Sequence, residues 1–456
     1  MDDLPKSVRI PMTACNPSDV GLLSRRQMLK AGVSMVAYMS LAKLLQAKKA
    51  FAAPSFPLQR KLVWVNMSGG WDLLEVTDPK QVNKDGTTLL YDYSQSWQLA
   101  GGDNNTRIGR FLPNLAAAGS DIVIVRGLAM GTTSHNAGPV YMDTGILSNT
   151  GIVNSASIPA IVASQGTSTI PLIQLSGGAS PQTDRGLAQT PISVVRAENL
   201  ELYRSMFPST AEEATNRLKV LDYVDSALSR MQNDMKTNFT KDDDRLAAFA
   251  AASQKVRGQF KANVGQQMEL SDDELSQFIA GAPRGLNRNV AQTFGLALKL
   301  LKGGICDCIN LGIGGFDTHT SQTARLEPIL TSTDFILKKF MDGLSEAGLL
   351  DTTLIVLYSD FGRTPGVNSQ SGRDHWPVGG ALLLGGGLKG SRVVGETDDG
   401  LRSLSIDFAS GRPDGSSNQL NPTHLAGSVL ELTLGASYLP YRNYLTSIEA
   451  LTKLKN

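Results

Sequence analysis

The sequence predicts an α/β fold: a largely parallel central sheet with helices on both faces and a helical insertion. Three observations carry this. Short apolar runs end in glycine-rich or polar turns, as the carboxyl ends of buried strands do. Stretches of helical periodicity fill the gaps between the runs, and that alternation is the pattern of a parallel sheet covered on both sides. One long block, from Ala211 to about Ala280, is helix-forming, charged and free of strand signals, which places the insertion at about residues 205–285.

In chain order, the first element is a leader. Ser24-Arg25-Arg26-Gln27-Met28-Leu29-Lys30 sets two arginines before a moderately apolar stretch, Ala31 to Leu45. Ala50-Phe51-Ala52 then supplies the small-x-small pattern of a cleavage site, so residues 1–52 read as a signal peptide cut after Ala52. The paired arginines resemble the twin-arginine export signal. The export machinery is therefore an expected partner, and the periplasm or the exterior the expected location. The apolar stretch is shorter than the ~20 residues a membrane span needs, so no transmembrane anchor is expected.

Five strands follow, each running into a turn. Leu62 to Val65 leads to Met67-Ser68-Gly69-Gly70-Trp71-Asp72, and Asp121 to Val125 leads to Arg126-Gly127. Cys306 to Leu311 leads to Gly312-Ile313-Gly314-Gly315-Phe316-Asp317-Thr318-His319. Leu354 to Tyr358 leads to Ser359-Asp360-Phe361-Gly362-Arg363, and Ala381 to Leu384 leads to Gly385-Gly386-Gly387. Helices are expected over Asn289 to Leu301 and over Arg325 to Ala347, the latter stopped by Gly348. The tract from Ser148 to Ser180 carries no readable periodicity.

Composition narrows the function. Without the eight Lys/Arg and three Asp of residues 1–52, the chain has 35 basic and 39 acidic side chains, a net charge of −4. A nucleic-acid binder would show a clustered basic surface, and nothing in the sequence has that footprint. Cys306 and Cys308 are the two cysteines beyond the leader, and they read as core filling rather than as a disulfide or a ligand pair.

In an open α/β sheet, ligands gather outside the carboxyl ends of the strands. Asp72, Asp317, His319, Asp360 and Arg363 fall there, and Gly372-Arg373-Asp374-His375-Trp376-Pro377 follows. The chain has four histidines, at 135, 319, 375 and 424, and two of them lie in carboxylate-rich loops. Carboxylate and imidazole together are the ligands of a divalent metal, with histidine favouring zinc or manganese over magnesium. His424, in Asn421-Pro422-Thr423-His424, reads as part of a helix start.

The strings Phe361-Gly362-Arg363-Thr364-Pro365, Gly372 to Pro377, and Leu384-Gly385-Gly386-Gly387-Leu388-Lys389-Gly390 resemble one bacterial twin-arginine-exported family. It is domain of unknown function 1501, of the alkaline phosphatase/sulfatase superfamily, and Gly315 to His319 and Gly70-Trp71-Asp72 resemble it too. The resemblance implies an alkaline-phosphatase-like fold and a metal site of one or two ions held by Asp72, Asp317, His319, Asp360 and His375. It also implies a nucleophile in Thr132 to Gly138, where counting lands on His135 and a one-residue shift on Ser134, so both are site candidates with roles left open. Arg363 or Arg373 would steady developing charge. Phe361 stands where the superfamily has a histidine, and the spacing Asp317-x-His319 is short, both of which count against a complete two-metal centre. The expected activity is hydrolysis of a phosphate or sulfate ester, small-molecule or polysaccharide. The rival expectation is a non-catalytic binding or assembly protein that retains the fold.

Overall fold

The computed structural model describes residues 56–80, 91–176, 186, 192, 194–196, 204–205, 207–208, 210–236, 257, 264–416, 418–441 and 445–455. The expected leader lies outside the described residues. So does much of the stretch expected to form the insertion, within which the helices Ala211–Lys236, Val264–Gln267 and Asp272–Phe278 are described.

The strands are β1 (Lys61–Met67), β2 (Trp97–Gln98), β3 (Arg107–Ile108), β4 (Ile122–Ala129), β5 (Ile170–Gln174), β6 (Val194–Arg196), β7 (Cys306–Ile313), β8 (Thr353–Tyr358), β9 (Gly362–Arg363), β10 (His375–Trp376), β11 (Val378–Gly385) and β12 (Arg392–Val394). Eight of them form one sheet in the order β12-β4-β11-β8-β1-β7-β5-β6. β1 lies at the centre, parallel to β7 and β8, and every pairing in the sheet is parallel except the two made by β11. The expected architecture, mostly parallel and covered on both faces, is what the chain adopts.

Alternation along β1 shows why. Val63, Val65 and Met67 point into one core layer, Leu62 and Trp64 into the other, and all are essentially inaccessible. A strand buried on both faces needs apolar residues at successive positions, which is how it reads in the sequence. The first layer is closed by the helices Arg288–Lys302 and Gln322–Glu346, through Phe294, Leu300, Ile336 and Phe340. The second is closed by Gly138–Thr144, Ile158–Gln165 and Pro422–Leu434, through Tyr141, Ile161, Val162 and Val429. Each such side chain contributes about 1.5–3 kcal/mol by leaving water. Gly348 follows the Gln322–Glu346 helix with φ +67°, so the expected stop is present.

β11 departs from the expectation. The run Ala381 to Leu384 reads as one more forward strand ending in glycines, but it lies antiparallel to β4 and β8. Gly385 to Gly387 therefore turn at the edge of the sheet opposite to the other strand ends. The amino end of β11, led in by His375 and Trp376, meets those ends instead. The unreadable tract holds the Ile158–Gln165 helix, capped by the Ser157 hydroxyl, and then β5. Cys306 and Cys308 are free and buried, and burial pushes both thiols up, away from the thiolate form a metal would need. No helix among the described residues is long and apolar enough to cross a membrane.

Candidate metal centre

Five segments meet at the carboxyl edge of the sheet: the loops after β1, β4, β7 and β8, and the chain entering β11. The loop after β1 passes directly against the one after β7. A Cβ on Gly69 would lie 2.4 Å from the Asp317 nitrogen, and one on Gly70 2.7 Å from the Phe361 ring. Both glycines have positive φ, so the close approach and the turn each exclude a side chain.

Asp317 Oδ1 is the common point. His319 Nε2 stands 3.0 Å from it, His375 Nε2 3.6 Å and His135 Nε2 3.7 Å. His319 Nε2 and His375 Nε2 are 3.0 Å apart. Each imidazole is held from behind through Nδ1: His135 by Asp360 Oδ2 at 2.7 Å, His319 by Asp374 Oδ1 at 3.0 Å, and His375 by the Thr133 carbonyl at 2.9 Å. All three outer partners accept, so each Nδ1 carries the proton and each Nε2 presents a lone pair inward. Two lone pairs facing each other at 3.0 Å repel unless a cation or a proton lies between them. His135, Asp317 and His375 have ligand atoms within 4.8 Å of one another, and His319 adjoins two of them.

Asp360 is buried beneath this cluster. Its Oδ2 accepts from His135 and from the Gly69 N–H at 3.2 Å, while its Oδ1 is buried without a hydrogen-bond partner. Burial raises its carboxyl above the usual range, against the pull of His135. For Asp317, burial acts upward too, but the Arg363 hydrogen bond and charge hold it below the usual range. Burial lowers His375, helped by the Arg363 charge, which favours the neutral, metal-binding form. Phe361 is the floor: its ring centroid lies 4.4 Å from that of His375 and 4.8 Å from that of His135.

The two arginines are spent within the protein. Arg363 is fully buried, and its five N–H groups reach the Gly70, Gly69 and Arg373 carbonyls, Asp317 Oδ1, and His319 Nε2 at 3.4 Å. β9 and β10 set His375 opposite Arg363, which is why they share one face. Arg373 Nε lies 3.0 Å from Asp72 Oδ2, and its NH1 donates to the Thr364 and Pro365 carbonyls. Asp72 is buried, and it accepts from Gln322 and from the Leu74 N–H as well. None of its contacts is with the histidines. Ser134 accepts the Asn136 N–H at 3.3 Å in a local turn, so within the loop after β4 it is His135 that faces the cluster. His424 closes a capping box at the start of the Pro422–Leu434 helix, apart from the centre.

Sequence reasoning overlooked Asp374, Thr133 and the Phe361 floor. Asp374 was visible beside His375; Thr133 acts through its carbonyl and leaves no sequence signal.

The family model described as "Protein of unknown function (DUF1501)" matches residues 59–405. No curated protein matches the chain. Among solved structures, it is similar to the PsFucS1 sulfatase from Pseudoalteromonas sp., at 13% identity and TM-score 0.35, covering 95% of this chain and 77% of that one. It is similar also to the lipoteichoic acid synthase LtaP from Listeria monocytogenes, at 10% and 0.36, covering 91% and 82%. A protein in the alkaline phosphatase superfamily from Vibrio parahaemolyticus follows at 11% and 0.31, covering 86% and 74%. At these scores the likenesses say nothing of this chain's chemistry. The match over residues 59–405 does place it: the chain belongs to the DUF1501 family.

Proposed function

We propose that this protein is an exported, metal-dependent hydrolase of phosphate or sulfate esters. The observation that carries the reading is the convergence of three imidazole Nε2 atoms on Asp317 Oδ1, each imidazole oriented by its own outer acceptor. A nitrogen-rich donor set with one carboxylate fits zinc or manganese, and imidazoles backed by carboxylate or carbonyl groups are the usual way to fix such ligands. The unpartnered Asp360 Oδ1 beneath His135 adds to the fit, because a buried carboxylate with a spare oxygen strengthens its imidazole as a donor. A divalent ion held there would supply Lewis-acid polarisation of an ester oxygen and a water that ionises near neutral pH.

His135, Asp317 and His375 would hold the ion, with His319 as a further donor. Asp360 would orient His135, and Asp374 would orient His319. Arg363 would fix Asp317 rather than touch the ester. Asp72, paired with Arg373, would brace the loop after β1. These assignments favour a single ion over the pair allowed by the resemblance. Ser134 keeps its hydroxyl proton and stays an available nucleophile, with water as the other.

The test is elemental analysis of the folded protein beside Asp317→Ala and His375→Ala, followed by turnover of p-nitrophenyl phosphate and sulfate with metal restored. Bound metal that both variants lose, together with turnover, supports the reading. Bound metal without turnover on any ester points to a binding or assembly role, and a metal-free folded protein under metal-replete conditions refutes the site. For export, replacing Arg25 and Arg26 by lysine should hold the precursor in the cytoplasm. Unchanged export would refute the twin-arginine reading.

A further inference from the structure

We propose that the loop 145–153 forms an apolar wall beside the metal centre, shaped to receive the organic part of an ester whose alcohol is aryl or alkyl. The inference rests on the hydrolase reading above and names its substrate class. Five large apolar side chains stand exposed among the described residues, and two of them, Leu147 at 41% and Ile152 at 63%, belong to this loop. Scattered exposed apolar residues need no explanation. These two are not scattered, because the loop lies along the segment that carries His135.

The contacts are direct. A Cβ on Gly131 would lie 3.2 Å from Leu147 Cδ2, and one on Gly151 would lie 2.4 Å from the Asn136 carbonyl oxygen. Leu147 therefore sits beside the stretch leading to Thr133, whose carbonyl holds His375, and Ile152 follows the glycine that touches the neighbour of His135. The cluster itself is open to solvent, with the His135 and Asp317 side chains 38% and 49% exposed.

The loop is also built rather than loose. Gly145 ends the Gly138–Thr144 helix with φ +71° and its carbonyl accepts from the Thr423 hydroxyl at 2.9 Å. The Ser148 hydroxyl donates to the Ile152 carbonyl at 2.9 Å, and the Gly151 N–H to the Ser148 carbonyl at 3.1 Å. Val153 is buried and anchors the far end. A fixed loop that holds two apolar side chains outward beside a polar centre has the composition of a ligand site: an apolar wall next to a few convergent polar groups. With Arg363 and Arg373 engaged within the protein, the organic body of the substrate is the part left for the wall to recognise.

The experiment measures binding by calorimetry, using the full metal-loaded chain and two non-hydrolysable probes, phenylphosphonate and methylphosphonate. Wild type should bind phenylphosphonate about ten-fold more tightly, the scale of a modest apolar contact. The Leu147→Ser/Ile152→Ser double variant should lose that preference while keeping its methylphosphonate affinity and its metal content. Equal affinity for the two probes in wild type, or a preference that survives in the double variant, overturns the wall. Failure of both probes to bind a folded, metal-loaded chain overturns the hydrolase reading itself, and the wall with it.

Discussion

Arg363 is the side chain whose loss should spread furthest. It is fully buried, and its fork ties the loops after β1, β7 and β8 to the chain entering β11. Replacing it by glutamine strands the Gly69, Gly70 and Arg373 carbonyls and removes the cation beside Asp317. Breaking a buried ion pair from one side costs about 3–5 kcal/mol. Asp317 is half exposed, so water recovers part of its charge and the loss should sit at the lower end, about 3 kcal/mol. Urea unfolding of wild type, Arg363→Gln and Arg363→Lys measures it; lysine keeps the charge but not the fork, so it should fall between the other two. Metal affinity, read by chelator competition, should weaken in both variants because Asp317 is no longer held in place. The opposite outcome is informative. If Arg363→Gln unfolds within about 0.5 kcal/mol of wild type, the scatter of an ordinary surface change, and binds metal more tightly, then Arg363 only competes for Asp317, and the positioning argument fails.

Three further expectations follow from single contacts. Asp360→Asn removes the carboxylate behind His135 and should weaken metal binding about 10–100-fold without abolishing it; unchanged affinity by the same competition would remove Asp360 from the site. Asp307, held by Lys61 at 2.7 Å and by the Thr167 and Ser168 N–H groups, has its carboxyl below the usual range: burial acts upward, and these partners outweigh it. Its folded pKa lies below its unfolded one, so its stabilisation is present above about pH 3.9 and is lost as pH falls through the folded value. Asp307→Asn should therefore be about 1–3 kcal/mol less stable at pH 7, with the gap closing under acid; a gap constant with pH in urea melts would refute the charge argument. Asp334, reaching from the Gln322–Glu346 helix, accepts the Asn114 and Leu115 N–H groups at 3.0 and 2.8 Å and so caps the Pro113–Ala117 helix. Asp334→Ala should lower stability by about 2 kcal/mol, and an unchanged melt would show the cap to be dispensable.

The fold was legible because its signals are local. Leu62 to Val65 announces a strand buried on both faces, and the apolar spacing from Leu326 to Leu344 announces a helix, whatever lies elsewhere in the chain. The direction of β11 was hidden for the opposite reason. Ala381 to Leu384 is as apolar as any parallel strand here, and the sense of a strand is decided by the length and path of its connection rather than by its own residues. That reversal matters at the site, because it brings His375 to the carboxyl edge at the beginning of a strand instead of the end of one.

The site shows the same division. Asp317 and His319 sit in one loop and announced themselves by spacing, but what each carboxylate does depends on partners that arrive from far along the chain. Asp72 and Asp317 look alike in sequence, each an aspartate just past a strand in a glycine-rich turn. In the fold, Asp72 is enclosed by Arg373 and Gln322 while Asp317 is left half open beneath three imidazoles. Asp360 is a third case, buried and directed at His135, the residue that stands at the nucleophile's place in the family resemblance. An imidazole whose Nδ1 is fixed by a buried carboxylate, and whose Nε2 faces Asp317, is arranged as a ligand. On the proposed reading, the place expected to hold a nucleophile would supply a metal donor instead, and an attacking water would be the simpler chemistry.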